Sequence, residues 1–256
     1  MRQPAIPLPC LALLGAMSAC SAPPPPPPPL SAAQAYTQGQ AALQRGDANT
    51  GVTLLTQAAD QHNIQAALRL GQMYQNGDGV MADHAEAQHW LSIAAAAGNP
   101  DAEYAMGELF DLGGMGVVQD HKQAMDWYTR AAARGSAKAQ YKLAEIYRSG
   151  ILGAENDAAA IPLYRKAAAQ GYAKAETALG TIYAQGRGVT QDNRQALQWY
   201  TRAANAGDAD AMTQIGYLYI QGEGLPANAA LGRSWLQRAA AAGSQEAQER
   251  LTAPTL

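Results

Sequence analysis

The feature that most constrains this chain is a repeat with a period of 36 or 37 residues. The alanine pair Ala94-Ala95 recurs as Ala131-Ala132, Ala167-Ala168, Ala203-Ala204 and Ala239-Ala240, in steps of 37, 36, 36 and 36 residues. A glycine stands four residues after the first alanine of each pair, at Gly98, Gly135, Gly171, Gly207 and Gly243. A bulky residue stands four before it, at Trp90, Trp127, Leu163, Trp199 and Trp235. A further aromatic column is Tyr74, Phe110, Tyr147, Tyr183 and Tyr219. Self-similarity at such a period marks an array of small units, each unable to bury its apolar face alone and therefore stacked on its neighbours.

Each period reads as two helices. Ala66, Leu70 and Tyr74 are four apart and share one helical face, and Gly71 leaves a small surface for close helix approach. The turn Gly77-Asp78-Gly79 ends that helix, and Gly186-Arg187-Gly188 and Gly222-Glu223-Gly224 repeat it. Glycine takes positive φ there without steric cost. The second helix begins near Asp83, Asp120, Asn156, Asp192 or Asn228, whose side chains suit an N-cap. It carries Trp90 and Ala94 on one face and ends at Gly98. Composition agrees: alanine dominates, Phe occurs once and β-branched residues are sparse, a bias toward helix. The glycine turns are not phosphate loops, since no strand precedes them and no Lys-Ser/Thr follows.

Two units depart from the pattern. The second has an extra residue in its turn, Asp111-Leu112-Gly113-Gly114-Met115-Gly116. The third has Gly150-Ile151-Leu152-Gly153 and places Pro162 inside the second helix. An interior proline costs about 3 kcal/mol and kinks or breaks a helix, so an irregularity is expected there.

The combined pattern, Ala-x3-Leu-Gly-x2-Tyr-x2-Gly-x-Gly-Val, then Asp, then Ala-x2-Trp, Ala-Ala and Gly, resembles the Sel1-like repeat, a relative of the tetratricopeptide repeat. The resemblance covers residues 64–244 as five repeats. Upstream, residues 31–63 resemble a tetratricopeptide-like helix pair, with Ala58-Ala59 in register 36 residues before Ala94-Ala95. Residues 245–256 supply a capping helix and tail. The fold implied is all-α: a right-handed α/α superhelix (solenoid) of Sel1-like helix pairs.

The N-terminus reads as an address. Arg2, the apolar run Leu11 to Met17 and the small residues before Cys20 have the order of a signal peptide over 1–19. Ser18-Ala19-Cys20 resembles a bacterial lipobox, with Cys20 as the lipid-attachment residue, although Met17 stands where such boxes usually have Leu. The other reading is an ordinary cleaved signal that leaves Cys20 a free thiol. Ser21 after the cysteine implies, by the same resemblance, the periplasmic face of the outer membrane. Residues 20–30 then combine the anchor with a stalk: the seven prolines Pro23 to Pro29 suit polyproline II, about 3.1 Å per residue and so about 20 Å in all.

Nothing in the sequence singles out catalysis. The net charge is −3, and no Lys/Arg run is long enough to track a nucleic-acid backbone. Cys10 would leave with the signal and Cys20 would carry lipid, so no thiol remains for a metal or disulfide. His84 and His121 occupy equivalent positions in adjacent repeats and read as exposed helix-start residues rather than a metal pair. Neither a cofactor nor a metal is expected. Some cysteine-rich relatives are linked to β-lactam binding, but their stapling cysteines are absent here. The expectation is a non-enzymatic, protein-binding groove lined by the first helices. Its candidates are Asp101, Tyr104, Glu108 and Asp111 in the second repeat, and Lys138, Tyr141, Lys142, Glu145 and Arg148 in the third. The fifth adds Tyr217, with Thr213 and Gln214 beside it. The resemblance implies either a scaffold in an envelope complex or an immunity protein that neutralises a type VI secretion lipase effector in the periplasm; an enzyme acting on envelope substrates is the third reading, with no residue constellation behind it.

Overall fold

The computed structural model describes residues 29–114, 116–222, 224 and 226–252. The signal-like segment, Cys20 and most of the proline run lie outside them. Thirteen helices follow one another among the described residues: α1 Ala32–Gln44, α2 Ala48–Asp60, α3 Ile64–Asn76, α4 His84–Ala96, α5 Pro100–Leu112, α6 His121–Ala133, α7 Ala137–Ser149, α8 Asp157–Ala169, α9 Ala173–Gln185, α10 Asn193–Asn205, α11 Ala209–Gln221, α12 Ala229–Ala241 and α13 Gln245–Thr252. Odd-numbered helices up to α11 are the first of each pair, and each packs on the helix that follows it. Each second helix packs on the next pair, building a right-handed α/α superhelix. The sole extended pairing among the described residues is a bridge between Gly114 and Val117, within the longer second turn.

The caps expected from sequence are in place. Asp83 accepts from the amides of Ala85 and Glu86 at 3.0 and 3.1 Å, and Asp120, Asn156, Asp192 and Asn228 cap their helices likewise. The first alanine of every pair, Ala94, Ala131, Ala167, Ala203 and Ala239, is completely buried. α8 departs from expectation: it runs unbroken through Pro162 and is as long as its neighbours, at 13 residues. Pro162 is exposed, and so is Ala158, whose carbonyl loses its helical donor and is left to water.

One contact sets the spacing within each pair. The eighth residue of the first helix is small (Gly39, Gly71, Gly107, Ala144, Gly180, Gly216). The eighth residue of the second helix is large and buried (Leu55, Leu91, Tyr128, Tyr164, Tyr200, Leu236). A β-carbon on Gly107 would lie 2.5 Å from the Tyr128 ring, and one on Gly180 2.5 Å from Tyr200. Gly107→Ala and Gly180→Ala are therefore expected to destabilise the fold by about 1–3 kcal/mol through overpacking. Urea unfolding with an unchanged m-value checks this; a neutral effect would mean that the helix pairs separate without cost.

Candidate binding surface

First helices of successive repeats face a common groove. A cavity of about 280 Å³ spans three of them: Tyr141, Glu145 and Arg148 come from α7, Lys174, Thr177, Ala178 and Thr181 from α9, and Asp208 and Asp210 from the start of α11. A second cavity, of about 270 Å³, is lined by Gln72, Gln75 and Asn76 of α3, Asp101, Tyr104 and Glu108 of α5, and Lys138 of α7. The candidates Asp101, Tyr104, Glu108, Lys138, Tyr141, Glu145 and Arg148 thus line one cavity or the other. Lys174, Thr177 and Asp210 were not read from sequence, although they continue the columns of Asp101, Tyr104 and Lys138.

Many of these groups are already engaged. The Tyr104 hydroxyl donates to Glu108 at 2.6 Å. Asp111 lies 3.0 Å from His121 Nδ1 and 3.6 Å from Lys142 Nζ. His121 is therefore partly covered and paired, and His84, against which Gly114 of the longer turn packs, is partly covered too; neither is an exposed helix-start residue. Arg148 Nη2 holds Glu145 at 2.7 Å, and Arg148 Nε donates to the Tyr164 hydroxyl at 3.1 Å. The Tyr164 hydroxyl in turn donates to Glu145. Tyr141 packs against the rings of Tyr164 and Tyr172, with centroids 5.9 and 5.4 Å apart. Tyr217 is partly covered, and burial followed by the neighbouring Glu246 of α13 raises the pKa of its hydroxyl. Thr213 corrects the sequence reading: it is completely buried, bonding the Ala209 carbonyl and Ser244 Oγ, both at 2.9 Å. It lies on the side of α11 that meets the capping segment.

Sequence reading also missed Tyr128, Tyr164 and Tyr200, fully buried side chains whose hydroxyls reach groove residues from beneath. The Tyr200 hydroxyl donates to Thr181 at 3.1 Å, and that of Tyr128 lies 3.5 Å from Asp111. The available signal was the column directly after the bulky one, which alternates only between Leu and Tyr.

A sequence profile of the Sel1 repeat matches residues 30–63, 64–99, 100–136, 137–172, 173–208 and 209–244. The chain belongs to the Sel1 repeat family. The first matched stretch is the pair that, by sequence, resembles a tetratricopeptide unit. Among solved structures, a Sel1 repeat protein from Oxalobacter formigenes is 29% identical, with 84% of this chain and 88% of that one covered and a TM-score of 0.78. A protective antigen of uropathogenic Escherichia coli is 30% identical over 86% of this chain, with a TM-score of 0.75; the match spans about half (48%) of that longer protein. An immunity protein from Pseudomonas aeruginosa shares the fold at 20% identity, with 84% of both chains covered and a TM-score of 0.53. No curated protein sequence matches.

Within the Sel1 frame, further charges hold the two helices of a repeat together. Glu103 is wholly buried between Arg130 and Arg134, at 3.3 and 3.0 Å, and Glu176 meets Arg202 at 2.9 Å. Arg130, Arg202 and Arg238 lie over the rings of Trp127, Trp199 and Trp235, at 4.2, 4.7 and 4.0 Å. Among the described residues no cluster of three or more His, Cys, Asp or Glu is placed to hold a metal. No described helix is long and apolar enough to cross a membrane.

The tyrosines of this Sel1 groove keep their protons far above neutrality. Burial, then the neighbouring Glu145, pushes Tyr141 up to about 12. Burial, then hydrogen bonding to Glu108 and Glu145 respectively, raises Tyr104 and Tyr164 further, and burial followed by Asp111 raises Tyr128. The hydroxyls therefore remain donors to the carboxylates beside them. A folded value above the unfolded one, about 10, means that the folded state binds more protons in between. This contribution to stability is complete below about pH 10 and is lost as pH rises through 12 and beyond. Tyrosinate absorbance of the folded chain should accordingly lag behind that of urea-unfolded chain, and the buried tyrosines should ionise only as helicity is lost.

Proposed function

We propose that this Sel1 repeat chain is a non-catalytic scaffold of the bacterial envelope that holds a protein partner in its first-helix groove. The observation that carries the reading is the 280 Å³ cavity spanning α7, α9 and α11. Its Glu145–Arg148–Tyr164 wall is tied together within the protein, so the surface is formed before a partner arrives and little ordering is left to pay for on binding. Tyr141 and Arg148 also belong to the residue types that dominate binding hot spots.

The setting proposed is the periplasm, with the chain anchored to the outer membrane by lipid on Cys20 and lifted from it by the proline stalk. Ser18-Ala19-Cys20 and Pro23 to Pro29 support it. The membrane is met only through that anchor. A second reading within the same binding class is an immunity protein that occludes a secreted lipase effector; the fold shared with the Pseudomonas aeruginosa immunity proteins is compatible with it. A scaffold is needed in unstressed cells, whereas an inhibitor matters only when its toxin is delivered.

Two measurements test the proposal. Thr177→Arg fills the cavity and is expected to reduce partner recovery in affinity purification at least tenfold, with helicity and a cooperative thermal melt retained. Full recovery would exclude this groove. Cys20→Ser is expected to abolish incorporation of labelled palmitate and to move the protein from the membrane to the soluble fraction; retention of both would refute the anchor.

A further inference from the structure

From α5 to α11, four charged first-helix side chains have neither an ion-pair nor a hydrogen-bond partner among the described residues: Asp101, Lys138, Lys174 and Asp210. All four are exposed, and each is the second residue of its helix. They form one row of charges across four successive repeats, reading minus, plus, plus, minus. Lys138 alone has a ring beneath it, Tyr104 at 5.8 Å.

Local stability does not account for this row. The N-terminal turn of a helix favours anions, because its free amides and the helix dipole present positive charge. Asp101 and Asp210 obey that rule, whereas Lys138 and Lys174 break it side by side in adjacent repeats. A residue that breaks a local rule with no ion pair or hydrogen bond to offset it is a candidate for function. The two cavities repeat the same geometry two repeats apart, with this charge pair inverted: one holds Asp101 and Lys138, the other Lys174 and Asp210. Tyr141, packed on Tyr172 and Tyr164, stands in the wall of the cavity that holds Lys174 and Asp210. Each cavity is slightly smaller than the 300 Å³ or so at which small-molecule sites begin, and suits one or two side chains.

We propose that the groove takes an extended polypeptide segment whose charges read basic, acidic, acidic, basic. The acidic pair sits over Lys138 and Lys174, and the basic ends reach Asp101 and Asp210. Neighbouring first helices lie about 10 Å apart, which an extended chain covers in about three residues. The row is a charge palindrome, so the segment reads alike in both directions. This inference rests on the groove being the partner-binding face.

The probe is a fluorescein-labelled peptide of about ten residues, Arg-x2-Glu-x2-Glu-x2-Arg, with x drawn from Ser, Gly and Gln. Its control is the charge-inverted Glu-x2-Arg-x2-Arg-x2-Glu, both titrated against the full solenoid by anisotropy. The first peptide is expected to bind at least tenfold more tightly, and the preference should shrink with added salt as screening sets in. The quadruple variant D101K/K138E/K174E/D210K is expected to reverse the preference. Should that variant fail to fold by circular dichroism, the milder K138Q/K174Q is expected to abolish it. Equal binding of the two peptides, no binding of either, or a preference unchanged in the variants would overturn the inference. Co-purification separates this failure from that of the groove itself. Loss of the native partner in Thr177→Arg despite equal peptide binding leaves the groove standing without the extended segment; an undisturbed partner removes both.

Discussion

The structure depends on one steric relation, a residue without a side chain, or with only a methyl, facing a large buried one. At the eighth position of each first helix, glycine or alanine lets Leu or Tyr of the second helix lie almost on its backbone. Dispersion and apolar burial are gained only at that distance, and neither helix of a pair would be stable alone. The same relation recurs in all six pairs, so the superhelix is the repeated consequence of one contact rather than six separate solutions. Leu and Tyr are interchangeable in this column because both fill the gap beside the glycine.

Where the large residue is tyrosine, the contact acquires a second consequence. The ring completes the core and the hydroxyl reaches the floor of the groove, where Tyr164 meets Glu145 and Arg148, Tyr200 meets Thr181, and Tyr128 approaches Asp111. Packing inside a pair thereby fixes the positions of polar groups on the surface. The charges of the chain then separate into two populations. Glu103, Glu176, Asp111, Glu145 and Arg148 are consumed in linking helices and repeats, while Asp101, Lys138, Lys174 and Asp210 are left over. The first population holds the shape of the groove, and the second remains free to meet a partner.

Much of this was legible in the residues. The 36-residue alanine and glycine columns specify paired helices because their spacing matches helical faces and turn geometry, and Asp83 or Asp192 marks each helix start through capping chemistry that is local in sequence. The groove was legible only in part. Tyr104, Glu145 and Arg148 follow from the facing columns, but Thr213 was misplaced, because its burial depends on Ser244 in a segment outside the repeat. Pro162 was misjudged because its cost depends on whether the freed carbonyl meets water, which only packing decides.

The sequence by itself determined the all-helical repeat, its register and its turn residues, since each rests on interactions among residues close in the chain. Tertiary structure alone decided which charges are spent and which remain free. Glu103 and Asp101 lie two residues apart and look alike in the sequence, yet one is sealed between Arg130 and Arg134 while the other faces water. Their difference is one of helical face and of partners some 30 residues away, and no local rule encodes it.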